Sequence, residues 1–166
     1  MNKYVSQNEL ETFRFHDSIL KACDFKDEEM IWHVKSLCVE PKNAANHFNI
    51  AMGLGTSVII FDHYKIIYGR YDSTYYNAYG KKSGEKKQYD LTEPMQMMQK
   101  ICEDCQMVSC GYDYDEYMGD RRAYGFEFLA QCSSGREVYL SNIIIEYTAV
   151  TVSWESFEGK AWYVSE

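Results

Sequence analysis

The stretch that most constrains the fold of this 166-residue chain runs from Ile19 to Val39. Met30-Ile31-Trp32-His33-Val34-Lys35-Ser36-Leu37-Cys38-Val39 is dense in β-branched and aromatic residues and carries no competing helix signal, so it reads as a strand. Met30, Trp32 and Val34 share one face, while Leu37 and Val39 fall on the other, which places a bulge near Ser36. Ile19 to Phe25 reads as a preceding strand, and only the charged turn Lys26-Asp27-Glu28-Glu29 separates the two. Parallel strands need a crossover of about a dozen residues or more, so these two must pair antiparallel. After an Asn-rich loop from Pro41 to Asn49, Thr56 to Tyr68 reads as another strand region centred on Val58-Ile59-Ile60-Phe61.

The rest of the chain predicts an α+β fold, a twisted, mostly antiparallel sheet with one main helix packed on it. Residues 1–12 read as a short helical or irregular lead-in. The Tyr-rich and Lys-rich stretch 69–90 reads as a long exposed loop. The helix is expected over about residues 92–106, because Leu91, Met95, Met98, Cys102 and Cys105 form one apolar stripe. Thr92 suits its N-cap, and Glu93 and Pro94 suit its first turn. Three strands then close the chain: Tyr124 to Cys132, Arg136 to Leu140, and Ile143 to Trp154. Ser133-Ser134-Gly135 supplies the hairpin turn between the first two. In the last, Ile143, Ile145 and Tyr147 share a face and Val150, Val152 and Trp154 shift parity, which predicts a bulge or break. Hydrophobic residues at 46 % and plentiful aromatics argue for a packed core rather than disorder. The length suits a single domain over 1–166, given about 100–200 residues per domain.

The net charge of −8 is unevenly spread. Residues 91–166 hold 13 acidic and 5 basic side chains, a balance equal to the whole net charge. Acidic surface repels phosphate backbones, so no nucleic-acid partner is expected. No apolar run suits a membrane span or a secretory signal, so the expected location is cytoplasmic, with no membrane partner. Reduced thiols are the corresponding expectation for the six cysteines.

Few motifs carry chemistry. Cys102-Glu103-Asp104-Cys105 with Cys110 lacks the second ligand pair of a zinc site. It also lies at the wrong end of the expected helix for a low-pKa thiol, so the cysteines read as core. An EF-hand loop opening at Asp113 needs an oxygen ligand at 117, Gly at 118 and Glu at 124, where the chain has Tyr117, Met118 and Tyr124. No metal and no cofactor is expected. Gly53-Leu54-Gly55-Thr56 precedes a strand rather than following one, so it reads as a turn and not as a phosphate loop. His33, His47 and His63 are isolated in sequence, although His33 and His63 could approach each other across a sheet. His16-Asp17-Ser18 holds residue types found in hydrolytic triads, but triad members meet across a fold and not along one strand. Read as a strand, the segment puts His16 and Ser18 on one face and Asp17 on the other. Read as a turn, Asp17 or Ser18 hydrogen-bonds a nearby backbone N–H.

Phe13-Arg14-Phe15-His16-Asp17-Ser18-Ile19, followed by two β segments split by an acidic turn, resembles small uncharacterised bacterial proteins that open with a Phe-His-Asp-Ser/Cys motif. Some of these look like immunity proteins of polymorphic toxin systems. The resemblance covers about the first 70 residues. It implies an α+β fold and a binding role, and brings no catalytic residues with it.

The expected function is therefore non-enzymatic binding of a protein partner, in the form of an immunity protein neutralising a basic toxin. The expected contact is an acidic surface of Asp113, Asp115, Glu116 and Asp120, joined by Tyr75 and Tyr76 from the tyrosine-rich stretch. The alternative is a small-ligand-binding protein or enzyme with a cleft around His16 and Asp17. A third reading has the tyrosines mediating self-association.

Overall fold

The computed structural model describes residues 3–75, 81, 82, 87–90, 98, 105–111, 116–118, 121–132 and 137–165. Residue alternation builds the first sheet from β1 (Tyr4–Gln7), β3 (Ile19–Phe25), β4 (Glu29–Lys35), β7 (Ser57–Asp62) and β14 (Ala149–Trp154). Their order is β1-β14-β7-β4-β3, with every pair antiparallel. Met30, Trp32 and Val34 all point inward from β4 and are buried, as their spacing requires.

A second sheet holds β8 (Lys65–Tyr75), β9 (Lys87–Asp90), β10 (Cys105–Gly111), β11 (Glu116–Met118), β12 (Arg121–Cys132) and β13 (Glu137–Tyr147). The order is β10-β12-β13-β8-β9, with β11 paired to β12. The pair β7/β14 of the first sheet runs on as β8/β13 of the second. One ribbon thus crosses between sheets, bending at His63–Tyr64 on one strand and at Thr148 on the other. Thr148 donates both its backbone N–H and its hydroxyl to the Asp62 carbonyl, at 3.0 and 3.2 Å, and so fixes the bend. Strands that switch sheets at such corners are how two sheets enclose one core. The core lies between them, where Trp32 and Phe61 meet Phe126 at ring separations of 4.7 and 5.9 Å.

The third sheet, β15-β6-β5-β2, comprises β2 (Phe13–Arg14), β5 (Cys38–Val39), β6 (Met52–Leu54) and β15 (Phe157–Lys160). Each of its strands continues into a strand of the first sheet through a short kink. Among the described residues, three of the four non-glycine residues with positive φ lie where strands change sheet: Asp17 (64°), Ser36 (59°) and His63 (49°). Such conformations are uncommon outside glycine, with Asp and His among the more tolerant types. Ser36 is where the sequence places a bulge, and there the strand ends its run in the first sheet and enters the third.

The expectation of an α+β fold with a main helix is overturned. Among the described residues the structure is nearly all strand, and no helix reaches seven residues. The helix expected over about 92–106 falls mostly on 91–97 and 99–104, outside the described residues. Met98 is helical and fully buried, but Cys105 and Gln106 already belong to β10. There they pair with Cys132 and Gln131 of β12. Pairing with a neighbouring strand prevails over a weak helical stripe.

Other boundaries shift too. The lead-in contains β1 and a single 3₁₀ turn, Leu10–Thr12. The loop expected over 69–90 is in part β8 and β9, while residues 76–80 and 83–86 lie outside the described set. Residues 137–147 form one strand where the sequence suggests two, and the break in parity falls at Thr148.

Candidate functional site

The Phe-His-Asp-Ser segment is a turn that carries the chain from the third sheet to the first. Phe13 and Phe15 point inward, each 2 % exposed. Phe13 meets Trp154 edge-on at 5.9 Å, and Phe15 meets Phe126 edge-on at 5.2 Å. The Ser18 N–H donates to the Phe15 carbonyl at 2.9 Å, closing a four-residue turn around His16 and Asp17. Asp17 takes the left-handed conformation that its short polar side chain tolerates. The turn breaks the strand alternation, so Ser18 is fully buried while His16 and Asp17 face solvent, 60 % and 59 % exposed at their side chains. His16 and Ser18 therefore do not share a face, and the turn is closed by backbone rather than by a side chain. The Ser18 hydroxyl has no hydrogen-bond partner among the described residues. His16 Nε2 lies 3.6 Å from Asp17 Oδ2.

The segment 161–164 is brought beside this turn. The Ala161 N–H donates to the Ala51 carbonyl at 2.9 Å, and the Val164 N–H to the Ala161 carbonyl at 3.0 Å. The backbone N–H of Trp162 faces the Cys38 thiol and favours its charged form. The Tyr163 hydroxyl donates to Glu40 Oε1 at 2.8 Å, and Arg14 Nε donates to the same oxygen at 2.9 Å. So anchored, Trp162 still leaves 61 % of its surface in solvent, with its ring 5.6 Å from that of His16.

The electrostatics follow from these contacts. Burial pushes the Glu40 carboxyl up, but the hydrogen bonds from Arg14 and Tyr163 and the charges of Arg14 and Lys42 outweigh it and hold it below its ordinary value. Tyr163 is raised by burial, then by its hydrogen bond to Glu40 and that group's negative charge. Burial raises the Cys38 thiol, the Trp162 hydrogen bond offsets part of this, and the charges of Glu40 and Asp17 add to it. Trp162, His16, Asp17, Arg14, Glu40 and Tyr163 thus form one solvent-facing cluster over the third sheet.

Of the other expected site residues, Glu116 and Tyr75 lie on strands of the second sheet. Glu116 opens β11, with Ala123 as its register partner. Tyr75 ends β8 opposite Glu137. Asp113, Asp115, Asp120 and Tyr76 lie outside the described residues. His33 and His63 do not meet. His33 is opposite Val58, four residues before Asp62, and pairs with Asp24 at 3.2 Å. His63 lies at the sheet corner, with Asp62 at 3.0 Å and Glu28 at 3.6 Å. Among the described residues no group of three or more His, Cys, Asp or Glu gathers in a way that could hold a metal ion. Among them, too, no helix is long and apolar enough to cross a membrane. Gly53 and Leu54 belong to β6, and Gly55-Thr56 turns the chain into β7.

Sequence reasoning overlooked Trp162, Tyr163, Glu40 and Arg14. Trp162 and Tyr163 are adjacent aromatics beyond the last expected strand. Nothing in their spacing links them to His16, almost the whole chain length away. Comparison with protein-family models gives no match, and comparisons with curated proteins and with solved structures give none either.

Proposed function

We propose that this chain is a non-enzymatic protein-binding domain that occludes a basic partner, in the specific form of an immunity protein neutralising a toxin. One observation carries the reading: Trp162 is held 61 % exposed on a turn pinned by its neighbours. Exposing an indole forgoes the free energy of burying it, while rigid aromatics recur as the anchors of protein interfaces. The charge distribution supports a basic partner, with 13 acidic against 5 basic side chains over 91–166. The proposed acidic contact is Asp113, Asp115, Glu116 and Asp120, with Tyr75 and Tyr76 as further contacts. The alternative of a ligand or enzyme cleft at His16 and Asp17 draws on the 3.6 Å pair, but both side chains are largely open to solvent. Open side chains suit contact with another surface better than enclosure of a small molecule.

The test is capture of a partner from lysate of the source organism at low salt, with release at high salt, followed by association kinetics. Replacing Asp113, Asp115 and Asp120 by Asn and Glu116 by Gln is expected to slow association about tenfold at low salt and to flatten its salt dependence. An unchanged on-rate and salt slope in that variant would defeat the acidic-surface reading.

A further inference from the structure

The Trp162 cluster has a definite chemical preference. One face of the assembly is an exposed indole, and indole is the best of the aromatic rings at attracting a cation to its face. Two carboxylates adjoin it through its ring neighbours: Asp17 lies 3.6 Å from His16, whose ring is 5.6 Å from the indole, and Glu40 is bonded at 2.8 Å by Tyr163, whose ring is 5.3 Å from the indole. The backbone N–H of Trp162 faces the Cys38 thiol. Glu40 is already bonded by Arg14 and Tyr163, but Asp17 is 59 % exposed, with the His16 ring 3.6 Å from its carboxylate. The backbone that carries the indole is held by the Ala161 and Val164 hydrogen bonds, so the chain itself needs little ordering at binding.

We propose that Trp162, with Asp17 beside it, is the anchor for an arginine or lysine side chain of a protein partner. The cation stacks on the indole face and pairs with the Asp17 carboxylate, and His16 forms the adjoining wall. This rests on the protein-binding reading and extends it, because it names the recognised group and assigns it to residues other than Asp113, Asp115, Glu116 and Asp120.

The probe is a short peptide alternating glycine and arginine, with lysine and glutamine versions as controls, titrated into the full chain and followed by NMR. The chain has three tryptophans, and Trp32 and Trp154 are buried, so the Trp162 indole N–H signal is assigned by its loss in Trp162→Phe. The arginine and lysine peptides are expected to move that signal saturably, and the glutamine peptide to leave it in place. The backbone amides of His16 and Asp17 report binding in variants lacking the indole. Trp162→Ala and Asp17→Asn are each expected to weaken affinity about two- to fivefold. A Trp162 signal that stays still, or that moves equally with the glutamine peptide, overturns the proposal, as does an unaltered affinity in both variants. The two readings fail separately. If salt-sensitive capture disappears while the peptides still move Trp162, the toxin-neutralising reading falls and the cation anchor stands. If capture persists and Trp162 does not respond, the anchor alone falls.

Discussion

At the scale of single residues, the Phe-His-Asp-Ser segment divides its labour by direction. Phe15 fills the core and Ser18 is buried behind the turn, while His16 and Asp17 are delivered to solvent. Ser18 invites a sharp prediction because its hydroxyl is buried without a partner among the described residues. A buried hydroxyl that forfeits its water and gains no bond costs the folded state. Ser18→Ala is therefore expected to raise stability by up to about 1 kcal/mol, read from the urea midpoint with the slope unchanged. A lower midpoint would give the hydroxyl a role the turn does not explain. Asn43 shows the opposite case. It is 2 % exposed and donates to Ser6 Oγ at 2.8 Å and to Thr12 Oγ1 at 2.6 Å, while its own carbonyl oxygen accepts from the Ala45 N–H at 2.9 Å. The sequence marks both residues as loop formers, yet nothing local tells a satisfied buried amide from an orphaned hydroxyl, because the partners lie up to 37 positions away.

At the scale of elements, strands defined by alternation were legible and those competing with a helical pattern were not. Met30, Trp32 and Val34 can share a face only in an extended chain, so β4 follows from its residues. The stripe Leu91, Met95, Met98, Cys102, Cys105 reads as helix because local spacing contains no information about β12, which claims Cys105 onward. The turn 161–164 was illegible for the same reason, since what pins it is Cys38, Glu40 and Ala51 on other elements. Its pH response follows from those contacts. Glu40 is held below its ordinary value of 4.5, so its ionised form stabilises the native state above that pH, and the contribution is lost as pH falls through the lowered folded value. Tyr163 is raised above its ordinary 10, so its contribution is complete below pH 10 and is lost as pH rises through the raised value. Denaturant titrations across pH are expected to show a shallower acid loss in Glu40→Gln and a shallower alkaline loss in Tyr163→Phe. Profiles parallel to the parent chain in both variants would mean that the Tyr163–Glu40 bond does not hold the turn in solution.

At the scale of the whole molecule, the antiparallel architecture was legible and the number of sheets was not. Short turns such as Lys26-Asp27-Glu28-Glu29 dictate antiparallel neighbours, whereas sheet membership depends on where strands bend. Bends at Asp17, Ser36 and His63 depend on single φ angles that residue types permit but do not demand. The consequence of those bends is one shared core. Phe126 of the second sheet touches Trp32 and Phe61 of the first and Phe15 of the turn between the first and third, at 4.7, 5.9 and 5.2 Å. It is fully buried and belongs to a cluster that also holds Val39 and Leu54 of the third sheet. Removing its ring takes contacts from all these neighbours together, and close packing leaves them little freedom to collapse into the space. Phe126→Ala is therefore expected to cost about 3–5 kcal/mol, the usual range for a buried phenylalanine. Because the core is common to the sheets, the loss is expected to lower one transition rather than split it. Tryptophan fluorescence, dominated on unfolding by Trp32 and Trp154, reports the first sheet, and far-UV circular dichroism reports all strands. The two curves are expected to stay coincident in the variant at its lower midpoint. If they separate, with fluorescence retaining the parent midpoint, the second sheet unfolds independently of the first and Phe126 does not tie them into one cooperative unit.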